Sequence, residues 1–203
     1  LSLKPSIVFL TLFAVVTSLS AIEEDYIDQL KRLNYSEETG ELRHHILSAI
    51  QQDAEEDMWQ KELLTVLSDP KATTSGRQLA GELLKYCLSN KNAPELFPLL
   101  SENEMNTVTR NLLEGLEGDE IDHALLQALH NTQGIYQQGI LDTLAKRKCE
   151  TAIPDIANLI RKSSNMDTIS AGMRCIGEIE GAKAGNFFLE NLEWLDQSKP
   201  LAL

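Results

Sequence analysis

The groups in this 203-residue chain that could do chemistry are four histidines, three cysteines and 31 acidic residues. His44 and His45 are adjacent, so on a helix their rings point about 100° apart and cannot easily share a metal. His123 and His130 stand seven apart, two turns along one helical face, beside Asp119 and Asp122. Zinc sites on helices more often use a spacing of three or four, so ordinary exposed or turn histidines are expected. Cys87, Cys149 and Cys175 form no C-x-x-C pair. Cys87 and Cys175 fall among apolar helical positions, where a thiol behaves as a small hydrophobe; buried thiols are expected, with one disulfide as the alternative. No H-E-x-x-H, G-x-S-x-G or G-x-x-x-x-G-K-[ST] motif occurs, and nothing singles out a carboxylate pair for acid–base work. No catalytic residue, cofactor or metal ligand is therefore assigned, and the chain is not expected to be an enzyme. Asn34-Tyr35-Ser36 is an N-glycosylation sequon, of consequence only in a eukaryotic export route.

The formal charge of −13 and pI near 4.7 oppose binding to phosphate backbones, which requires a Lys/Arg surface that releases counterions. The first residues, "LSLKPSIVFLTLFAVVTSLSAIEEDY", place one cation at Lys4 before an apolar run from Ile7 to Val16 and then small residues. That order is a secretory signal peptide over residues 1–21, with cleavage near Ser20/Ala21. An exported protein, periplasmic or extracellular, without a stable membrane span after cleavage is expected. An uncleaved anchor is the alternative, although the run falls short of the roughly 20 residues that span a bilayer.

The elements that must position any site read as helices throughout. Apolar residues recur at three- and four-residue spacing: Tyr26, Ile27, Leu30 and Leu33; Leu42, Ile46, Leu47 and Ile50; Trp59, Leu63, Leu64 and Leu67. Residues 22–74 thus give degenerate helices. From residue 75 four helix pairs follow, each a long apolar helix, a tight turn and a second helix: "SGRQLAGELLKYCL" with "APELFPLL", "NTVTRNLLEGL" with "EIDHALLQAL", "GIYQQGILDTLA" with "TAIPDIANLI", and "TISAGMRCIGEI" with "KAGNFFLENL". Leu116, Leu144 and Ile176 each precede Ala124, Ala152 and Ala184 by eight residues, while Leu84 precedes Ala93 by nine. A repeat near thirty residues made of two helices is the mark of an α-solenoid, and an alanine at the start of the second helix lets the pair cross closely. Pro98 lies inside the first of these second helices, where a late start or a kink is expected.

The segment "DTLAKRKCETAIPDIANLI" resembles a short HEAT-like repeat of the type also found in phycobilisome-lyase relatives. Leu144, Ala152, Ile153 and Pro154 match that pattern's leucine and its Ala-Val-Pro box, and Ile176, Gly177, Ile179 and Ala184 match its first half in the last unit. The capping aspartate is replaced by Cys149, and Gly185-Asn186 replaces the Val-Pro pair. The resemblance covers residues 75–195 and implies an all-α fold, an armadillo-like α-solenoid of antiparallel helix pairs with a right-handed superhelix. It implies a scaffold that binds a protein or peptide on a face lined by the second helices, and little about chemistry. Glu95, Asp122, Asp155 and Glu190 are the polar candidates on that face, suited to a basic or cation-bridged partner, although acidic side chains are also the ordinary solvated surface. Phe187, Phe188 and Trp194 mark an apolar end where a partner or a second copy would dock, so a module of a larger assembly or a homo-oligomer is the alternative.

Overall fold

The computed structural model describes residues 25–34, 38–52 and 56–191, and every regular element among them is helical. Residues 1–21, expected from the sequence to be a signal peptide, lie outside the described residues. No helix among the described residues is long and apolar enough to cross a membrane. They form two compact units that divide between Leu88 and Ser89.

The first unit contains α1 (25–31), α2 (Glu38–Gln52), α3 (Glu56–Ser68) and α4 (Thr74–Leu84). Most of the apolar positions predicted to face a core do so: Leu30, Ile46, Leu63 and Leu67 are completely buried and Trp59 nearly so, while Tyr26 and Leu47 are half-buried. Helix α4 packs against α2 and α3, and the local chemistry explains why it belongs here. Thr73 caps its N-terminus by accepting from the Gly76 amide at 3.1 Å, while its own hydroxyl donates to the Leu33 carbonyl at 2.6 Å. Buried Arg77 donates Nε–H to the Leu67 carbonyl at 2.7 Å, at the end of α3, satisfying one of the carbonyls that a helix C-terminus leaves without a partner. Arg43 on α2 pairs with Glu82 on α4. The helix expected to open the first repeat, 75–88, is therefore built into the first unit.

The second unit begins with a 3₁₀ run, Asn90–Ser101, followed by α5 (Asn103–Leu113), α6 (Asp119–Asn131), α7 (Gly134–Lys146), a short 3₁₀ turn (Glu150–Ala152), α8 (Ile153–Lys162), α9 (Met166–Ile179) and α10 (Gly181–Glu190). Where an α-helix with a late start or a kink was expected, the whole segment is 3₁₀. It contains Pro94 as well as Pro98, and two prolines four apart remove two backbone donors and crowd the preceding turn. Helix α5 packs on the 3₁₀ run and on α7, α7 packs on α9, and α6 and α8 each pack against the helix that follows them.

The expected leucine–alanine register holds at Leu84, Leu144, Ile176, Ala93, Ala152 and Ala184, all buried. It slips in one unit: Leu116 and Ala124 are only half-buried. Helix α5 ends at Leu113, which fills the core position instead.

A second register is carried by polar residues. Asn106, Gln137 and Thr168 are buried and spaced 31 residues apart. Asn106 donates to the Leu100 carbonyl at 2.6 Å, and Gln137 donates to the carbonyls of Leu129 and Thr132 at 3.1 and 3.0 Å. Each thus receives the end of the preceding helix. Thr168 contacts Gln137 through its hydroxyl at 3.4 Å. After α7 the chain turns by a Schellman closure: Lys148 is left-handed at φ 54°, the Cys149 amide donates to Leu144 and the Lys148 amide to Ala145. This turn aims Arg147 inward. Its side chain is 8% exposed and donates to Asp122 at 2.6 Å, to the Leu113 carbonyl at 2.8 Å and to the carbonyls of Leu116 and Gly118. One guanidinium therefore joins the end of α5 to the start of α6.

Two substitutions test these close fits by chemical denaturation. At Gly76 a Cβ would lie 1.9 Å from the backbone oxygen of Leu30; Gly76→Ala is expected to destabilise by about 2–3 kcal/mol despite its gain in helix propensity. Arg147→Met should cost about 2–4 kcal/mol, because it leaves carbonyls and Asp122 without their donor. Arg147→Lys should recover little of this, since one ammonium cannot reproduce the planar fork.

Candidate functional site

The second helices hold the four acidic candidates in unlike states. Glu95, on the 3₁₀ run, and Glu190, at the end of α10, are exposed. Asp122 is engaged by Arg147 and only 21% exposed, so its carboxylate serves the fold. Asp155 on α8 lies 3.3 Å from His130 Nε2 on α6. His130 thus has a structural neighbour, while His45 stacks on Tyr26 at 5.4 Å and is tilted 49° from His44. Among the described residues no group of three His, Cys, Asp or Glu side chains could hold a metal ion.

The expected apolar end resolves differently along its length. Phe187 turns inward and is buried, and Phe188 meets it edge to face at 5.3 Å. The Phe188 ring reaches to 4.0 Å from the place of a Cβ on Gly177, so it folds over α9 rather than standing free. Leu189, 67% exposed, is the apolar residue of α10 that faces outward. Trp194 lies outside the described residues.

A groove of about 350 Å³ opens between the 3₁₀ run and α6. Pro94, Phe97, Pro98 and Ser101 form one wall, and Ala124, Gln127, Ala128 and Asn131 form the other. Both sets have the spacing i, i+3, i+4, i+7, which places four side chains on one face of a helical segment, and they match position for position at a step of 30 residues. The two alanines keep the floor low. The two prolines and Phe97 supply apolar surface, and the exposed amides of Gln127 and Asn131 each offer a donor and an acceptor. The same stripe recurs 30 residues on, along α8, as Pro154, Ala157, Asn158 and Arg161, and Arg161 donates to Asn191 a further 30 on at 3.0 Å.

The other helices of the unit carry two columns of alternating charge at a step of 32 residues: Arg110, Asp142 and Arg174, and, one turn on, Glu114, Lys146 and Glu178. Lys146 reaches Glu114 at 2.9 Å and Arg174 reaches Asp142 at 2.8 Å. Arg110 lies over Gly139, donating to its carbonyl at 2.8 Å and to the Thr143 hydroxyl at 3.2 Å. A Cβ on Gly139 would fall 2.4 Å from that guanidinium. Burial lowers the Arg110 pKa, and the carboxylates of Asp142 and Glu114 work against that shift. The hydrogen bond from Arg174 to Asp142, followed by its Coulomb attraction, raises the Arg174 pKa.

All three cysteines are buried thiols and none is joined in a disulfide, so the buried-thiol reading holds and extends to Cys149. Cys149 stands where the resemblance expects a capping aspartate, with Sγ 3.3 Å from the Thr151 hydroxyl. Cys175 donates to the Leu141 carbonyl at 3.1 Å. Comparison with protein families, with curated proteins and with solved structures gives no match to this chain.

Burial, followed by the charges of Glu178 and Asp142, pushes the Cys175 thiol up to about 12 from an ordinary 9.0. The folded chain keeps this proton where the unfolded chain releases it. The stability linked to Cys175 is therefore complete below pH 9 and lost as pH rises toward 12. Urea midpoints measured over that range should fall less steeply for Cys175→Ala than for the parent, and the parent thiol should resist thiol reagents at neutral pH until the chain unfolds.

Proposed function

We propose that this chain is a HEAT-like α-solenoid scaffold that binds an extended protein or peptide segment and has no catalytic activity of its own. The observation that carries the binding reading is the groove between the 3₁₀ run and α6, with an apolar wall at Pro94, Phe97 and Pro98 and an amide wall at Gln127 and Asn131. Such a groove takes up small apolar side chains, and the amides answer the N–H and C=O groups of a segment that brings its backbone unpaired. The repeat reading is supported by the recurrence of buried clamps, charge columns and groove stripe at steps of 30 to 32 residues. A unit that cannot bury its apolar face alone recurs in this way. The order of charge, apolar run and small residues over 1–21 supports export. The chain's charge of −13, with Glu95 exposed beside Pro94, favours a basic segment.

Selection from a displayed library of random peptides against the folded chain tests this reading. Basic peptides should be enriched, and Ala124→Trp, which fills the groove, should weaken the selected peptides by about tenfold or more while leaving the helical circular dichroism unchanged. Equal binding to the parent and to Ala124→Trp would remove the groove as the site.

A further inference from the structure

The charge columns across α5, α7 and α9 stop at Arg174 and Glu178, and among the described residues no further helix continues them. Arg174 and Glu178 are 54% and 53% exposed, Ser170 and Gly177 are exposed, and Met173 is half-buried. Their counterparts 32 residues earlier on α7 are Asp142, Lys146, Gln138, Ala145 and Leu141. Leu141 and Ala145 are buried, as befits a helix with neighbours on both sides: α7 packs on both α5 and α9. The edge of α9 thus repeats the surface that seats a neighbouring helix elsewhere in the unit.

We propose that this edge of α9 is a docking surface for a helix of a partner protein. That helix carries a carboxylate level with Arg174, an ammonium or guanidinium one turn later level with Glu178, and small side chains between. The chemistry follows from the columns. Each step reverses sign, from Arg110 to Asp142 to Arg174 and from Glu114 to Lys146 to Glu178, so the next member of each must be acidic and basic respectively. The small residues follow from α7, whose side toward α5 presents Gly139 and Thr143 to Arg110. A second copy extending the columns through α5 would bring Arg110 to Arg174 and Glu114 to Glu178, and like charges at close range oppose that pairing. This surface involves none of the groove residues, so it stands or falls separately from the binding reading above.

The probe is a peptide with the α7 sequence, residues 134–147, held helical by a side-chain lactam on its far face because an isolated helix this short is marginal. The control is the equivalent α9 peptide, residues 166–179, whose charges match those of the edge. In titrations of the isotopically labelled full chain, the α7 peptide should shift the amide resonances of residues 170–178. It should bind about tenfold more tightly than the α9 peptide. Glu178→Lys should weaken the α7 peptide, and a peptide carrying Lys146→Glu should restore the interaction. Equal binding of the two peptides, shifts that map elsewhere, or failure of the reversed pair to restore binding would overturn the proposal. Concentration-dependent shifts of the same resonances without peptide would assign the edge to a second copy. Binding seen only after removal of residues 192–203 would assign it to the chain's own C-terminal segment, and either result would overturn the proposal as well.

Discussion

A short helix ends in carbonyl groups with no partner inside it, and in this chain four of those ends are met by buried side chains from elsewhere in the fold. Arg77 receives the end of α3, Asn106 the end of the 3₁₀ run, Gln137 the end of α6, and Arg147 the end of α5. Each contact fixes where one element stops and how the next departs from it. With helices α2 to α10 of only 10 to 15 residues, intrinsic helix stability is small, so these terminal contacts and the apolar packing between them specify the architecture. Arg147 joins the most: its fork ties two helices and a loop together, and the Schellman turn with left-handed Lys148 is what directs it inward.

The charge columns solve a different problem. A chain with a net charge of −13 repels itself, and each exposed ion pair is worth only a fraction of a kcal/mol in water. Alternation at a step of 32 residues nevertheless sets the pairing of α5, α7 and α9, because a helix shifted by one position along its neighbour loses its partners in both columns. Burial of Arg110 over Gly139 adds a steric restriction, since a larger residue at 139 would oblige the guanidinium to shift.

The helices were legible in the sequence because burial follows the 3.6-residue period: Leu30, Ile46, Leu63, Leu144 and Ile176 all face a core as their spacing implies. The alanine register was legible in three of its four members and failed at Ala124, where early termination of α5 changed the local phase. Pro98 announced a disturbance, but its extent depended on Pro94 as well, and the two together turn a kink into a 3₁₀ run. Arg147 and the clamps Asn106 and Gln137 were not legible by hydrophobic pattern, since polar residues on amphipathic helices read as solvent-facing. The 31-residue spacing of Asn106, Gln137 and Thr168 was the signal that could have found them. For the same reason Asp122 looked like a surface acid, whereas it is one half of a largely enclosed ion pair. Pro98 and Ala124 stood out in the sequence for other reasons, but the groove they line did not, because its spacing is meaningful only once two segments lie side by side.

The 3₁₀ wall of the groove has a consequence for recognition that concerns entropy and direction. Pro94 and Pro98 have fixed φ and no amide hydrogen, so that wall loses little conformational freedom when something settles against it. The same two positions can donate nothing to a visiting backbone. Polar selectivity must then come from the α6 side, through Gln127 and Asn131, while the proline side reads only shape. On the proposed reading, a groove built this way would tell one flank of its occupant from the other and so hold a chain in a preferred direction.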